Sequence, residues 1–357
     1  MTILQRYILR EWAWTLVAVS FVLMIVLLAL FLGDMLDDIA DGRMPPGLVG
    51  TQFVLYLPRA VGHVLPLAGF IAIMWGLGRL YRDQEMAVMR SSGFSWKNLV
   101  RPLLNLTLPA AAIVLLIDLI LAPAATDLAE RKLEDAIRNA AVWGLLAGQF
   151  HVMRRGELVI YVESLGADGQ SLENIFVNLV DGENEQIWVA QSGEYWLDPD
   201  TRERYLTLID GEVMERHADG LDVRRLRFAR NDLRLPEPEV KERGEELEAR
   251  ASADLLSDLD RASWAELQWR FTPAAAVVIL AFLAIPLSHS NPREGRGGRI
   301  VLGILIYALY SNVLVLWRSW IGDGTIPVWL GLWWVHLLVL TVGFLWLRRQ
   351  GRLPRGR

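Results

Sequence analysis

The sequence predicts an α-helical integral membrane protein with six transmembrane helices and an all-β, jelly-roll-like domain inserted between the third and fourth. The 357 residues are 53% hydrophobic with a mean hydropathy of +0.28, which is too apolar for a soluble chain. Six stretches with few or no charges are each long enough for a helix to cross about 30 Å of hydrocarbon. Between the third and the fourth, the hydrophobic pattern changes to a period of two, as in strands.

The six predicted spans cover residues 12–32, 52–78, 102–122, 271–289, 300–317 and 328–347. Arg6 and Arg10 precede the first span, as they would in a signal peptide. Its apolar run is longer than a signal peptide needs, however, and no cleavage site of small residues follows it. We therefore predict that the first span is a retained transmembrane helix.

The distribution of basic residues predicts the orientation of these spans. Arginine and lysine are concentrated in the N-terminal segment, the loops after spans two and four, and the C-terminal tail. Because basic residues in short loops stay in the cytoplasm, both termini are predicted to be cytoplasmic. Residues 1–123 then hold spans one to three, residues 124–262 form a periplasmic domain, and residues 263–357 hold spans four to six with a basic tail. The periplasmic region carries 30 acidic and 17 basic residues, a balance that argues against a nucleic-acid partner.

The periplasmic region contains five short runs between Glu157 and Leu235 that are rich in valine, isoleucine, tyrosine and tryptophan. Their alternation predicts antiparallel strands with one apolar face. Helical stretches are predicted on both sides of the strands. Aspartate and glycine predict turns that start at Ala167, Asp181, Asp198, Asp210 and Ala218. A second sheet or another apolar surface must cover the apolar face, which favours a sandwich or an open jelly roll.

Residues that would carry catalysis are missing or scattered. Lysine occurs only at Lys97, Lys132 and Lys241, none of them in a phosphate-binding G-x-x-x-x-G-K-[ST] loop, so any nucleotide hydrolysis belongs to another chain. The five histidines are not at metal-ligand spacing, there is no cysteine, and no G-x-S-x-G motif is present. We therefore predict no catalytic residues, no metal site and no cofactor in this chain.

Charged residues within the spans are costly and are therefore candidate functional residues. Arg59 and His63 lie in span two, Asp118 in span three, Arg270 at the start of span four and Arg318 at the end of span five, all toward the outer side. In one interpretation Arg270 and Arg318 extend to the interface and Asp118 pairs with Arg59. In the other, the cations form a ring that binds the phosphates of an anionic lipid.

The loop after span two has the pattern of a short helix at about residues 83–93. Asp83 is a suitable N-cap, and Glu85 falls in the first turn, where the helix dipole favours an anion. Arg90 falls in the last turn, and Gly93 is a suitable C-terminal stop.

Met86 and Met89 lie on one face of this predicted helix, where flexible thioethers would suit contact with a moving partner. The residues alone leave two interpretations open. The helix either lies on the lipid surface or docks onto a cytoplasmic motor.

Two segments resemble a known family. "LYRDQEMAVMRSSGFS" is similar to the segment after the second span in the YjgP/YjgQ family, the permease subunits of the lipopolysaccharide export ABC transporter. "ELQWRFTPAAAVVILAFLAIPLSHSNPREGR" looks like the F-type rather than the G-type branch, through its E-L-x-W-R, I-P-L-S and N-P-R-x-G-R elements. The resemblance covers nearly the whole chain.

The resemblance implies a bacterial inner-membrane permease that extracts lipopolysaccharide from the outer leaflet and passes it to a periplasmic bridge. It implies as partners a paralogous G-type permease, a cytoplasmic ABC ATPase dimer that binds the ATP and Mg, and a C-type bridge protein with a single membrane anchor. The short helix would be the coupling helix that enters an ATPase groove. Its functional residues would be Asp83, Glu85, Met86, Met89, Arg90 and Gly93, with Glu85 pairing to a basic group of the ATPase.

In one respect the sequence departs from the family pattern. Family members often carry basic residues near the outer end of the first span, which meet the phosphates of lipid A, whereas this chain has Asp34, Asp37 and Asp38 there. Either Arg43, Arg59, Arg270 and Arg318 take that role here, or the partner subunit does, or the acidic groups bind the phosphates through divalent cations. We expect the substrate contacts at Arg43, Arg59, His63, Arg270 and Arg318. Two alternatives from other classes are a mechanotransmitting permease, which conveys ATPase motion without moving lipid, and a structural scaffold of an envelope complex.

Overall fold

The computed structural model describes residues 2–40, 44–139, 148, 150–153, 157–166, 171–181, 184–197, 204–217, 223–235, 247–258, 260–289 and 296–352. The chain divides into two compact units. The helical unit comprises Met1–Leu32, Thr51–Glu130 and Arg243–Arg357, and the second unit comprises Gly33–Gly50 and Arg131–Glu242, which contains the sheet.

In the described part of the chain, six helical segments are long and apolar enough to cross a membrane, which confirms the predicted spans. The helices are α1 (Ile3–Ala40), α2 (Val49–Arg82), α3 (Glu85–Ser91), α4 (Lys97–Leu116), α5 (Ala122–Asn139), α6 (Ser252–Ser257), α7 (Arg261–Leu287), α8 (Arg296–Gly322) and α9 (Trp333–Arg352). Short 3₁₀ turns at Pro46–Leu48 and Val328–Leu330 precede α2 and α9. Most helices extend beyond the predicted apolar stretches. Those stretches mark only the part inside the hydrocarbon, and a helix can continue with polar residues at the membrane surface.

α7 is central to the helical unit and packs against α4, α8 and α9. It begins sharply because the carboxylate of Asp260 accepts a 2.8 Å hydrogen bond from the backbone nitrogen of Ser263. Its apolar residues share one core with α2, in which Phe70, Leu77, Leu280 and Ala284 are fully buried. A π-helical segment, Ile117–Leu121, connects α4 to α5 without a break and carries Asp118. Such π segments are rare and are frequent at functional sites.

The second unit holds a single antiparallel sheet in which strands pair in chain order. Its strands are β1 (Phe150–Met153), β2 (Leu158–Leu165), β3 (Ser171–Asp181), β4 (Asn184–Leu197), β5 (Arg204–His217) and β6 (Val223–Leu235). The predicted all-β insertion is confirmed, and its connectivity is that of a meander. β1 was not among the predicted runs because its four residues are too short to show a period.

A crease crosses this sheet, and it explains one wrong turn prediction. Pairing skips Asn174, Gln191 and Asp210, which the strand register places side by side. Asn174 and Asp210 have left-handed backbones, with φ of 49° and 51°. At the crease the inward-facing positions change phase, so that β4 points Ala190 inward before it and Gly193 after it. Asp210 therefore lies inside β5 rather than in a turn, because aspartate tolerates a left-handed angle within a bent strand.

Candidate functional site

The short helix in the loop after α2 is present, although it begins differently from the prediction. α3 starts at Glu85, and its N-cap position is taken by Gln84, whose φ is 57° and whose side chain makes no capping bond. Asp83 is not the N-cap. Its carboxylate pairs instead with Arg82 at 3.2 Å, on the exposed side of the loop. The N-cap prediction for Asp83 is wrong because the left-handed turn at Gln84 carries the chain directly into the helix.

The other end of α3 matches the prediction closely. Gly93 has a φ of +85°, and its backbone nitrogen donates to the carbonyl of Arg90 at 3.0 Å. The backbone nitrogen of Phe94 donates to the carbonyl of Met89, also at 3.0 Å. These two bonds form a Schellman motif, which ends a helix with glycine in the left-handed conformation.

Met86 and Met89 face the protein interior. Their exposed fractions are 2% and 6%, and both belong to the core formed mainly by α2 and α7. The prediction that they contact a partner is therefore wrong, since the two thioethers anchor α3 to its own chain. The side chain that α3 presents outward is Val88, which is 66% exposed.

The charged residues of α3 are both held by tyrosines. The Tyr7 hydroxyl donates a 3.1 Å hydrogen bond to Oε2 of Glu85. Arg90 donates a 2.8 Å hydrogen bond to the hydroxyl of Tyr81 and lies 5.4 Å from the centre of its ring. A groove of about 280 Å³ lies beside α3, with Leu4, Tyr7, Glu85 and Val88 among its lining residues. The sequence does not predict a role for Tyr7 or Val88. The one sign of either is the position of Val88 on the face of the helix away from Met86 and Met89.

A second cluster of charges joins four parts of the helical unit. Glu248 pairs with Arg59 of α2 and with Arg318 of α8, the latter at 3.1 Å. Glu266 of α7 pairs with Arg270 at 3.1 Å and with Arg318 at 2.5 Å. We call this set of three arginines and two glutamates the arginine cluster. The three arginines are predicted from the sequence, but the two glutamates are not, although Glu266 and Arg270 show the four-residue spacing of a helical ion pair.

Asp118 does not pair with Arg59, which is a correction to one of the two interpretations of the intramembrane charges. The side chain of Asp118 packs against Gly62 of α2, where an added Cβ would collide with the carboxylate. Its Oδ2 atom is buried without a hydrogen-bond partner. Arg59 pairs with Glu248 instead.

Arg270 is the most enclosed of the three arginines in the arginine cluster, with its side chain only 4% exposed. Besides Glu266, it donates to the carbonyls of Leu247 and Arg250 at 2.9 and 2.8 Å and to the hydroxyl of Ser252 at 2.7 Å. Arg270 therefore holds residues 247–252, the segment that leads into α6.

The remaining predicted contacts differ in exposure. The side chains of Arg59 and Arg318 are 34% and 25% exposed, and Arg318 also lies 5.0 Å from the ring centre of Trp269. His63 is exposed, and its Nδ1 lies 2.9 Å from the carbonyl oxygen of Arg59. Arg43 lies outside the described residues. Burial alone would raise the pKa of Glu248, but Arg59 and Arg318 outweigh burial and hold that pKa below its ordinary value.

Within the described residues, no three His, Cys, Asp or Glu side chains are grouped so that they could hold a metal ion. The site features are thus a short helix between two spans and a cluster of ion pairs, set on six membrane-crossing helices with an all-β insertion. This architecture defines a multi-span membrane protein with a separate sheet domain.

A model of the family "Lipopolysaccharide export system permease LptF/LptG" matches residues 6–349, and the chain belongs to that family. It is 28% identical over 344 residues to the lipopolysaccharide export system permease protein LptF of Escherichia coli K12, covering 95% of this chain and 93% of that protein. The LptF protein of Shigella flexneri gives the same values. The LptG protein of Escherichia coli K12 is 22% identical over 166 residues, 46% of each chain. The resemblance to the F-type branch is thereby confirmed.

Proposed function

We propose that this chain is the F-type permease of an inner-membrane ABC transporter that extracts lipopolysaccharide from the outer leaflet and delivers it to a periplasmic bridge. Its proposed partners are a paralogous G-type permease, a bridge protein with one membrane anchor, and a cytoplasmic ATPase dimer that binds ATP and Mg. Both termini would be cytoplasmic and the sheet domain periplasmic. Removing several acyl chains from a bilayer costs about 0.8 kcal/mol per CH₂, so extraction needs an external source of energy.

The observation that carries this proposal is the construction of α3. A helix of seven residues is too short to be stable alone in water, yet this one is fixed by two buried methionines and a Schellman motif. It presents Glu85 and Val88 beside an open groove. A rigid short helix with an exposed apolar side chain and an acidic first turn is suited to a partner groove that carries a basic group. We assign this role of coupling helix to Glu85, Arg90 and Val88, with Met86, Met89 and Gly93 as its supports.

The test is to reconstitute the permease pair with its ATPase in liposomes that contain lipopolysaccharide, and to measure ATP hydrolysis and lipopolysaccharide release. Glu85→Arg and Val88→Asp change the outward surface of α3 without touching its buried side, so both are expected to uncouple hydrolysis from release. Glu85→Gln, which has the same shape without the charge, separates the charge from the fit of the side chain. Lys97→Gln, which replaces an exposed residue beyond α3, is the control.

The substrate contacts are proposed at Arg59, His63 and Arg318, with Arg43 as a further candidate. Arg59 and Arg318 are partly exposed and share Glu248, and a lipid phosphate could replace that carboxylate on both cations. Arg270 is given a different role, because its donors are filled and it is almost fully buried. We propose that it positions residues 247–252, which carry Glu248.

A mechanotransmitting permease would share the coupling helix but would move no lipid. A scaffold without an ATPase would need no coupling helix and would move no lipid. The liposome experiment separates the three functions. Loss of coupling together with loss of release supports export, whereas ATP hydrolysis that responds to α3 variants without any lipopolysaccharide release supports mechanotransmission. A rate of ATP hydrolysis that neither Glu85→Arg nor Val88→Asp changes, together with no lipopolysaccharide release even by the wild type, would support the scaffold.

A further inference from the structure

α1 contacts the rest of the helical unit chiefly near its first turns. Gln5, Ile8 and Trp12 are buried there, whereas no side chain from residue 13 to residue 34 is fully buried. Trp12 packs against Gly76 of α2, where a Cβ would collide with the indole ring. The start of α1 is therefore the place where a movement elsewhere in the unit can reach this long helix.

Tyr7 lies in this region and bonds to two other helices through its hydroxyl group. Nη2 of Arg79, in the last turn of α2, donates to the Tyr7 oxygen at 2.8 Å. The same oxygen lies 3.1 Å from Oε2 of Glu85 at the start of α3. Nη1 of Arg79 is also 3.0 Å from Oε1 of Glu11, one turn further along α1.

The chemistry of these groups fixes the direction of the hydrogen bonds. A guanidinium can only donate, and an ionised carboxylate can only accept. The Tyr7 hydroxyl must therefore accept from Arg79 and give its single proton to Glu85. Among the described residues Oε1 of Glu85 has no hydrogen-bond partner, so only one of the two carboxylate oxygens is held by the protein.

We propose that Tyr7 is a positioning residue that orients the Glu85 carboxylate and passes movement of α3 to α1. This inference rests on the proposed function, since it takes α3 to be the helix that meets the ATPase. Because the hydroxyl joins α1, α2 and α3 at one atom, a displacement of α3 pulls on α1 directly. No side chain of α1 between residues 13 and 34 is fully buried, so this stretch of the helix can follow.

The test uses Tyr7→Phe, which keeps the ring and removes only the hydroxyl, in the reconstituted complex with lipopolysaccharide-containing liposomes. The measured quantity is lipopolysaccharide released per ATP hydrolysed. We expect Tyr7→Phe to lower it about fivefold to tenfold, the size of one lost hydrogen bond. The control, Thr15→Val, removes a hydroxyl of the same helix that bonds only the backbone carbonyl of Glu11. It is expected to match the wild type.

A double-mutant cycle distinguishes positioning from a general loss of structure. If Tyr7 acts through Glu85, adding Tyr7→Phe to Glu85→Ala, which removes the oxygen that accepts from Tyr7, causes no further loss. A full additional fivefold loss in that background, or wild-type release by Tyr7→Phe alone, would overturn the proposal. Arg79→Gln gives a second measurement should Tyr7→Phe fail to assemble. Its effect is expected to be smaller in the Glu85→Ala background, where only the loss of its separate pair with Glu11 remains.

The two proposals fail in different ways. If Glu85→Gln and Glu85→Arg both leave release per ATP unchanged, α3 is not the coupling helix and the role of Tyr7 falls with it. If the Glu85 variants lower release while Tyr7→Phe does not, coupling through α3 stands and only the inference about Tyr7 is wrong. Thermal unfolding midpoints of all variants, measured in detergent, identify any loss that comes from instability.

Discussion

The three arginines of the cluster have the same charge but differ in burial, and burial decides what each can do. A half-exposed arginine can exchange one anion for another, because water screens the intermediate states. A fully enclosed one cannot, because its partners would be left as uncompensated buried charges. Arg59 and Arg318 fall in the first class and Arg270 in the second.

Replacement of Arg270 is therefore expected to cost far more stability than replacement of Arg59. Arg270→Gln should lower the free energy of unfolding by about 3 kcal/mol or more, since it removes a buried charge partner and three further hydrogen bonds. Arg59→Gln should cost about 1 kcal/mol or less, because its ion pair is partly exposed. Denaturant unfolding in detergent measures both values. Equal losses would contradict the assigned difference.

The ion pairs of Glu248 predict a dependence of stability on pH. Its pKa is held below the ordinary value of 4.5 because Arg59 and Arg318 outweigh burial. A carboxyl with a lowered native pKa contributes stability that is complete above 4.5 and is lost as the pH falls through the native pKa. The thermal midpoint of the wild type should fall on acidification below that value, and Glu248→Gln should remove part of the fall. If the thermal midpoint of Glu248→Gln falls on acidification as steeply as that of the wild type, the prediction is wrong.

Some of these site residues could be predicted from the sequence and others could not. The role of Gly93 could be predicted because a glycine that follows an amphipathic helical turn commonly ends the helix in the left-handed conformation. The methionines of α3 were assigned to the wrong side, because periodicity shows which residues share a face but not what that face meets. Glu248 could not be found, since it lies far in sequence from both arginines that it binds.

At the scale of single elements, α3 owes its position to side chains rather than to its own length. Met86→Ala should lower stability by about 2 kcal/mol or more, because it leaves a cavity in a packed core. Val88→Ala, on the exposed side of the same helix, should change stability by less than about 0.5 kcal/mol. Thermal unfolding in detergent compares the two. A larger effect at Val88 would mean that α3 is oriented the other way.

The start of α7 gives a second prediction for a single element. Hydrogen bonds from the side chain and backbone of Ser263 hold the pKa of Asp260 below its ordinary value, which favours a cap formed by the carboxylate at neutral pH. Asp260→Ala should destabilise the protein by about 1 kcal/mol, whereas Asp260→Asn, which keeps an accepting oxygen, should cost much less. The comparison is made by denaturant unfolding at neutral pH. Similar losses in both variants would show that the cap is not the cause.

For the whole molecule, the absence of cysteine makes the predicted orientation directly testable. Single cysteines at Val88 and Arg230, both exposed, can be labelled with a membrane-impermeant maleimide in cells and in inverted vesicles. We expect Val88→Cys to react only in inverted vesicles and Arg230→Cys only from the periplasmic side. The reverse pattern would contradict the positive-inside assignment and the proposed function together.

The arrangement of six spans around one β insertion could be predicted from the sequence because the bilayer sets the length of a span and strands set a period of two. The crease in the sheet could not be predicted from the sequence. Its aspartate and asparagine carry the same residue signals as turns, and only the pairing of neighbouring strands reveals that the chain continues through it.

The meander has a consequence for biogenesis. Each strand of the sheet pairs only with strands adjacent in the chain, so no pairing waits for a distant segment. In the proposed orientation, the domain crosses the membrane behind the first three helices. Every new strand can then add to the strand before it, and short-range contacts of this kind form quickly. The sheet can thus be complete before the last three helices are made, which limits the time that its apolar face is open to aggregation.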